Sequence, residues 1–121
     1  MQGCARAAIA AALICCGGSA MSMPALPEAS DLAGRWTIAE GSRTCRLTLT
    51  TRPSGRDHAV EADRACLEQL GLGAVVAWRP ASDGIGLAAA GGQTIAFLSR
   101  RPDGAHALSR PGRADLVLRR G

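Results

Sequence analysis

The sequence predicts an all-β fold, an eight-stranded antiparallel up-and-down barrel with a short N-terminal helix and an extended N-terminal tail. Three observations point there. Short runs that alternate apolar and polar residues recur along the chain, the period of a strand with one face buried. Glycine beside Asp, Ser or Pro separates many of them, which is hairpin-turn chemistry. The connections are also too short for helical crossovers, so neighbouring strands should pair antiparallel. Eight strands in about ninety residues favour closure, because a closed barrel leaves no exposed edge. An open sandwich is the alternative.

The elements follow in order. "EASDLAG" (Glu28–Gly34) is expected as a short helix that plugs or caps one barrel end, with Ser30 able to N-cap only a fragment. "RWTIAE" (Arg35–Glu40) is the first strand, ended by Gly41-Ser42. "CRLTLTTR" (Cys45–Arg52) alternates well: Leu47 and Leu49 face one way, Arg46, Thr48 and Thr50 the other. "RPSGRD" is a turn, and "HAVEAD" (His58–Asp63) is a weaker third strand. "RACLEQLG" (Arg64–Gly71) is a short helical connection, stopped by Gly71 and Gly73. The remaining strands are Ala74–Ala81, Ile85–Ala90, Thr94–Arg101, Ala105–Arg110 and Ala114–Arg120, with "SDG", "GGQ", "PDG" and "PGR" between them.

The chain has 121 residues, room for one domain. Its start reads as an export signal. Arg6 is the one charge in "MQGCARAAIAAALICC", and the apolar run Ala7–Cys16 is too short to span a bilayer but suits a signal core. Gly18 and Ala20 place small residues where a signal peptidase needs them. The expected division is a signal peptide over 1–20, a tail with the short helix over 21–33, and the barrel over 34–121. The rival is a lipoprotein signal in which "LICC" is a degenerate lipobox and Cys16 is acylated; Cys15 stands where a small residue is usual. Cleavage after Ala20 removes Cys4, Cys15 and Cys16 and leaves Cys45 and Cys66. Such a pair in an exported chain is most simply a disulfide. A reactive thiol or a metal pair are the other readings, and no histidine or third cysteine stands at ligand spacing to support the latter.

Composition narrows the function classes. The formal charge is +4, and all fourteen basic residues are arginine. They are spread along the chain without the aromatic platforms of single-strand binders, so a solvated surface is expected rather than a nucleic-acid partner. His58 and His106 are isolated in sequence, and no nucleophile elbow accompanies any serine. Asp57, Asp83, Asp103 and Asp115 sit in turns, where aspartate has a plain turn role. "GLGA" and "GGQ" lack the strand–loop–helix setting and the lysine of a phosphate cradle. The chain is therefore read as no enzyme, with no cofactor and no bound metal. A small-ligand barrel is a fairer rival, but few aromatics and alanine-rich strands predict a narrow, filled interior.

The run "LPEASDLAGRWTI", then Cys45, "DRACL" with Cys66, "VVAWRPASDGIGLAAAGGQTIAFLSR" and the closing "LVLRR" resemble the bacterial protease inhibitors of the Inh type, periplasmic inhibitors of serralysin-class zinc proteases. The likeness runs from about Ser22 to Arg120, and the "AWRPASDGI…IAFLSR" block is its most specific part. The Gly34-x-Trp36 turn also occurs in the wider lipocalin-like group. The resemblance implies a Cys45–Cys66 disulfide, a monomer that binds one protease, and a tail that lies in the protease cleft near the zinc. Here that tail is Met21, Ser22, Met23, Pro24 and Ala25, with Leu26 and Pro27 leading back to the barrel. Met21, Met23 and Pro24 stand where the family more often has serine and leucine. Trp36 is expected to pack inside one barrel end beneath an arginine of the last strand, Arg119 or Arg120. Trp78 and Arg79 are candidates for a barrel contact with the protease, although structural packing is the favoured reading of them.

Overall fold

Alternation separates the inside of the sheet from the outside. A computed structural model describes residues 26–121. In it Cys45, Leu47 and Leu49 of β2 (Arg43–Ser54) are buried, while Arg46 between them is exposed. The same period turns Trp36, Ile38 and Glu40 of β1 (Gly34–Glu40) inward. Six further strands follow: β3 (Asp57–Ala62), β4 (Ala77–Ala81), β5 (Gly84–Ala88), β6 (Thr94–Arg100), β7 (His106–Leu108) and β8 (Leu116–Arg120). Each pairs antiparallel with its neighbours in chain order, and β1 pairs with β8 to close the barrel. The closing register runs from Trp36 opposite Arg120 to Glu40 opposite Leu116.

The interior is filled. Ile38, Leu49, Trp78, Ile85, Leu98, Leu116 and Leu118 have essentially no solvent exposure and form one cluster. β5 is buried on both faces. Its glycines explain why: an added Cβ at Gly84 would lie 2.3 Å from the Leu98 carbonyl oxygen, and one at Gly86 would lie 3.2 Å from Arg79 Cγ. The outer surface of β5 is thus covered directly by Phe97 and by the stem of Arg79.

One end of the barrel is closed by α2 (Arg64–Gln69). The Asp63 side chain caps it, accepting from the Ala65 and Cys66 backbone N–H groups. Leu67, Leu70, Leu72 and Val75 then enter the common core. Three arginines hold the end of this helix. Arg110 Nη1 donates to Leu70 O at 2.7 Å, and Arg113 and Arg43 reach Gln69 O. Arg110 and Arg113 also converge on Glu40, at 2.8 Å and 2.6 Å. The Arg113 hydrogen bonds hold the Glu40 carboxyl below its usual range; burial opposes this, and the charges of Arg113, Arg110 and Arg43 add to it.

The other end carries α1 (Ala29–Leu32). Trp36 lies just inside it, and its Nε1 donates to Leu32 O at 2.8 Å. Arg120 lies over the indole at 4.5 Å and donates to Asp31 O at 2.8 Å and Ala33 O at 2.9 Å. Gly34 has φ +128°, a conformation that lets the chain turn from α1 into β1 beside Arg120.

Several boundaries differ from the sequence expectation. The first helix is a single turn, capped by Glu28 and Asp31 rather than Ser30, and Gly34 already belongs to β1. β2 runs through Pro53, where a register shift between Leu49 and Pro53 removes the need for a ladder N–H, so the turn shrinks to Gly55-Arg56. β4 starts at Ala77 rather than Ala74, because Val75 N–H is spent on Leu72 O in the turn after α2.

Cys45 and Cys66 form a disulfide with Cα atoms 5.9 Å apart, tying β2 to α2. Of the three readings of this pair, the disulfide is the one found. Replacing both cysteines with alanine is expected to lower stability by about 3 kcal/mol. Urea unfolding checks this, with the oxidised chain and the double variant compared at equal m-value.

Candidate functional site

Leu26 is the first of the described residues and is 61% exposed. It lines the mouth of an open cleft of about 760 Å³ on the barrel's outer surface. The other walls are the β2–β3 turn from Ser54 to Asp57, Arg79 and Pro80 of β4, and Ala90–Gly92 of the β5–β6 turn. Met21, Ser22, Met23, Pro24 and Ala25 fall outside the described residues, as do the expected signal peptide and Cys16.

Arg79 braces this cleft. It stands on the outside of β4, opposite Gly86 on β5. Because Gly86 has no side chain, the stem of Arg79 lies flat across β5 and its head reaches both turns. Nε donates to Asp57 Oδ1 at 2.8 Å and Nη2 to Asp57 Oδ2 at 3.0 Å, a two-pronged carboxylate contact. Nη2 also donates to Gly92 O at 2.6 Å, and Nη1 to Thr94 Oγ1 at 2.9 Å. One guanidinium therefore ties the β2–β3 turn to the β5–β6 turn across two intervening strands. Asp57 is only 8% exposed. The Arg79 hydrogen bonds hold its carboxyl below the usual range; burial opposes, and the charges of Arg79, His58 and Arg56 assist. Asp57 in turn raises the Arg79 pKa further.

The two barrel-contact candidates separate. Trp78 has no exposed surface; it faces inward, and its Nε1 donates to Thr50 O at 2.8 Å. It packs, and has no face to offer a partner. Arg79 is 36% exposed and borders the cleft. The two structural candidates, Gly34 and Trp36, sit together at the α1 end with Arg120 as the covering arginine. Arg119 faces outward instead, toward Asp103 at 3.5 Å. Among the described residues no catalytic constellation gathers at the cleft. His58 packs against Trp78 with its ring tilted and His106 meets Trp36 edge-on, on separate strands. Among the described residues, no three His, Cys, Asp or Glu side chains are placed to hold a metal ion. What the arrangement offers is a wall braced by Arg79, with Leu26 at its rim.

The sequence did not disclose Asp57 as more than a turn residue. Its partner lies 22 positions away, and only the antiparallel register brings them together. Pro80 and Gly91-Gly92 were likewise unremarked as cleft walls.

Comparison with known proteins agrees with this architecture. The family model described as protease inhibitor Inh matches residues 26–120. A proteinase inhibitor of Dickeya chrysanthemi is 38% identical over 88 residues, covering 72% of this chain and 73% of that one. An alkaline proteinase inhibitor of Photorhabdus luminescens is 33% identical over 107 residues, covering 87% of this chain and 80% of that one. The crystal structure of a psychrophilic marine protease MP inhibitor superposes with a TM-score of 0.63 at 29% identity, covering 77% of this chain and 98% of that chain.

Arg79→Ala leaves the Asp57 carboxylate buried without its partner, and is expected to cost about 1–3 kcal/mol. Arg79→Lys should fall between, keeping the charge and losing the fork. The Asp57 contribution has a definite sign with pH. Its folded pKa is depressed below the ordinary 3.8, so the stabilisation is complete above that value and is lost as pH falls through the depressed one. Urea midpoints from about pH 6 down to about pH 3 should therefore converge for wild type and Asp57→Asn.

Proposed function

The chain belongs to the protease inhibitor Inh family, and from that membership we propose that it is a periplasmic inhibitor of a secreted zinc metalloendopeptidase of the serralysin type. It is no enzyme itself. The segment Met21–Leu26 enters the active-site cleft of the protease, and the barrel rim around Arg79 blocks the flanking surface in a one-to-one complex.

A relative named proteinase inhibitor and one named alkaline proteinase inhibitor support a proteinase as the target. The observation that carries the tail reading is the placement of Leu26, which follows Met21–Ala25 in the sequence and is exposed at the rim of a braced cleft. The chemistry of the tail fits the target. A free α-amino group has a pKa near 8, so giving up its proton to ligate zinc costs little near neutral pH. A catalytic zinc keeps an open position that an amine or a carbonyl can fill. Pro24 and Pro27 fix φ, which reduces the ordering cost on binding, and Pro24 removes a backbone N–H where the protease would cut. A second reading, favoured by "LICC", is an outer-membrane lipoprotein barrel acylated at Cys16 that inhibits other proteases or binds an envelope component. An acylated chain has no free amino group at Met21 to offer zinc.

The test is a titration of a serralysin-type protease with chains that start at Met21 and at Leu26. The longer form should inhibit stoichiometrically and the shorter should lose most of its potency. Equal inhibition by both would remove the tail from the mechanism. Inhibition by neither, together with an acylated Cys16 by mass, would select the lipoprotein reading.

A further inference from the structure

We propose that His106 is an acid-sensitive latch that holds α1, the element from which the N-terminal segment departs. The consequence for inhibition rests on the tail reading above; the latch itself does not.

His106 lies inside the α1 end of the barrel, 5% exposed, and its Nδ1 has no hydrogen-bond partner among the described residues. Each neighbouring element presents it with a defined group. From β6, Arg100 is its direct cross-strand partner. From β8 come Leu118 opposite and Arg120 two residues further on. From β1, the Trp36 ring meets it edge-on at 5.6 Å. Asp103, in the turn before β7, is already engaged by the Ala105 N–H and by Arg119. On the α1 side, Glu28 and Asp31 cap each other's backbone. The charged groups around the imidazole are thus two guanidiniums, with the carboxylates of the neighbouring segments committed elsewhere. Burial first, then the charges of Arg100 and Arg120, push its pKa below 6.5.

Arg120 is also the cation already lying on the Trp36 indole. Protonated His106 would place a second cation against the same ring, with no counter-ion beside it among the described residues. The element with least to lose by moving is α1. It is four residues long and has no fully buried residue. Beside the packing of Ala29 and Leu32 against the core, it is held by the Trp36 Nε1 bond to Leu32 O and by the Arg120 bonds to Asp31 O and Ala33 O. Both donors belong to the stack that His106 would disturb.

The sign is fixed by linkage. The latched state binds its proton more weakly than the open state, so latching is complete above about pH 6.5 and weakens below it. The weakening approaches tenfold per pH unit until the depressed pKa is reached.

The experiment is an NMR titration of the chain from Met21 onward, from about pH 8 to about pH 5. It follows both imidazoles, the Trp36 indole N–H, and the amides of Asp31 and Ala33. The indole and the α1 amides should move with the His106 midpoint, below the ordinary histidine range, and should stay fixed in His106→Phe. Signals that ignore His106, or that follow His58, overturn the latch; the wild-type titration decides this even if the variant folds poorly. Inhibition by wild type, relative to His106→Phe at each pH against one protease, should weaken in step with α1 release. Release without a relative loss of inhibition overturns the link to inhibition. A chain from Met21 that fails to inhibit at any pH marks the failure of the tail reading instead.

Discussion

The stack of Arg120 over Trp36 is the interaction on which the α1 end of this molecule depends. It lies on the closing pair of the barrel, β1 with β8, and couples three things that sequence keeps far apart. The indole fills the inside of one end. The guanidinium covers it and turns its donors toward the carbonyls of α1. Arginine suits this position because its plane stacks on a ring while its edges still donate, which a lysine ammonium cannot match. The residues that close the sheet also fix where α1 sits on it.

The same device recurs elsewhere, which gives the arginine-only basic composition a physical meaning. Arg64 donates to the carbonyls of Gly73 and Val75, Arg110 to Leu70 and Glu40, and Arg79 to Asp57, Gly92 and Thr94. A domain with few aromatic residues has little apolar bulk with which to seal a barrel end. Planar forks reach two or three acceptors at once and hold irregular segments against the sheet. Much of the positive charge is therefore structural rather than a plain solvated surface.

How much of this was legible varies with the range of the interaction. The alternation of Cys45, Leu47 and Leu49 against Arg46 and Thr48 is a local signal, and it places β2 correctly. Closure and strand order follow from short connections. Trp36 was placed beneath Arg119 or Arg120, and the register selects Arg120, because Arg119 falls on the outward phase of β8. Boundaries were less legible where backbone bonding competes with pattern: Ala74–Val76 has the composition of a strand, yet Val75 is tied into the turn after α2. At the site, the tail was read from a family resemblance and Arg79 from its place in a shared block. The partner of Arg79 was not readable, since nothing in a turn sequence says which side chain 22 positions further along the chain will lie beside it.

The closing pair of the barrel also bears on the order of synthesis. Strands β1 to β7 can add as successive hairpins while the chain emerges, each pairing with the strand just made. β1, made first, has no second neighbour until residues 116–120 arrive. Until then the nascent domain is an open sheet with two bare edges and an uncovered indole at one corner, the state in which strands pair with the wrong chain. A barrel that removes its edges in the finished fold thus carries them through almost the whole of its making, and protection of that open sheet falls to whatever accompanies the chain on its way.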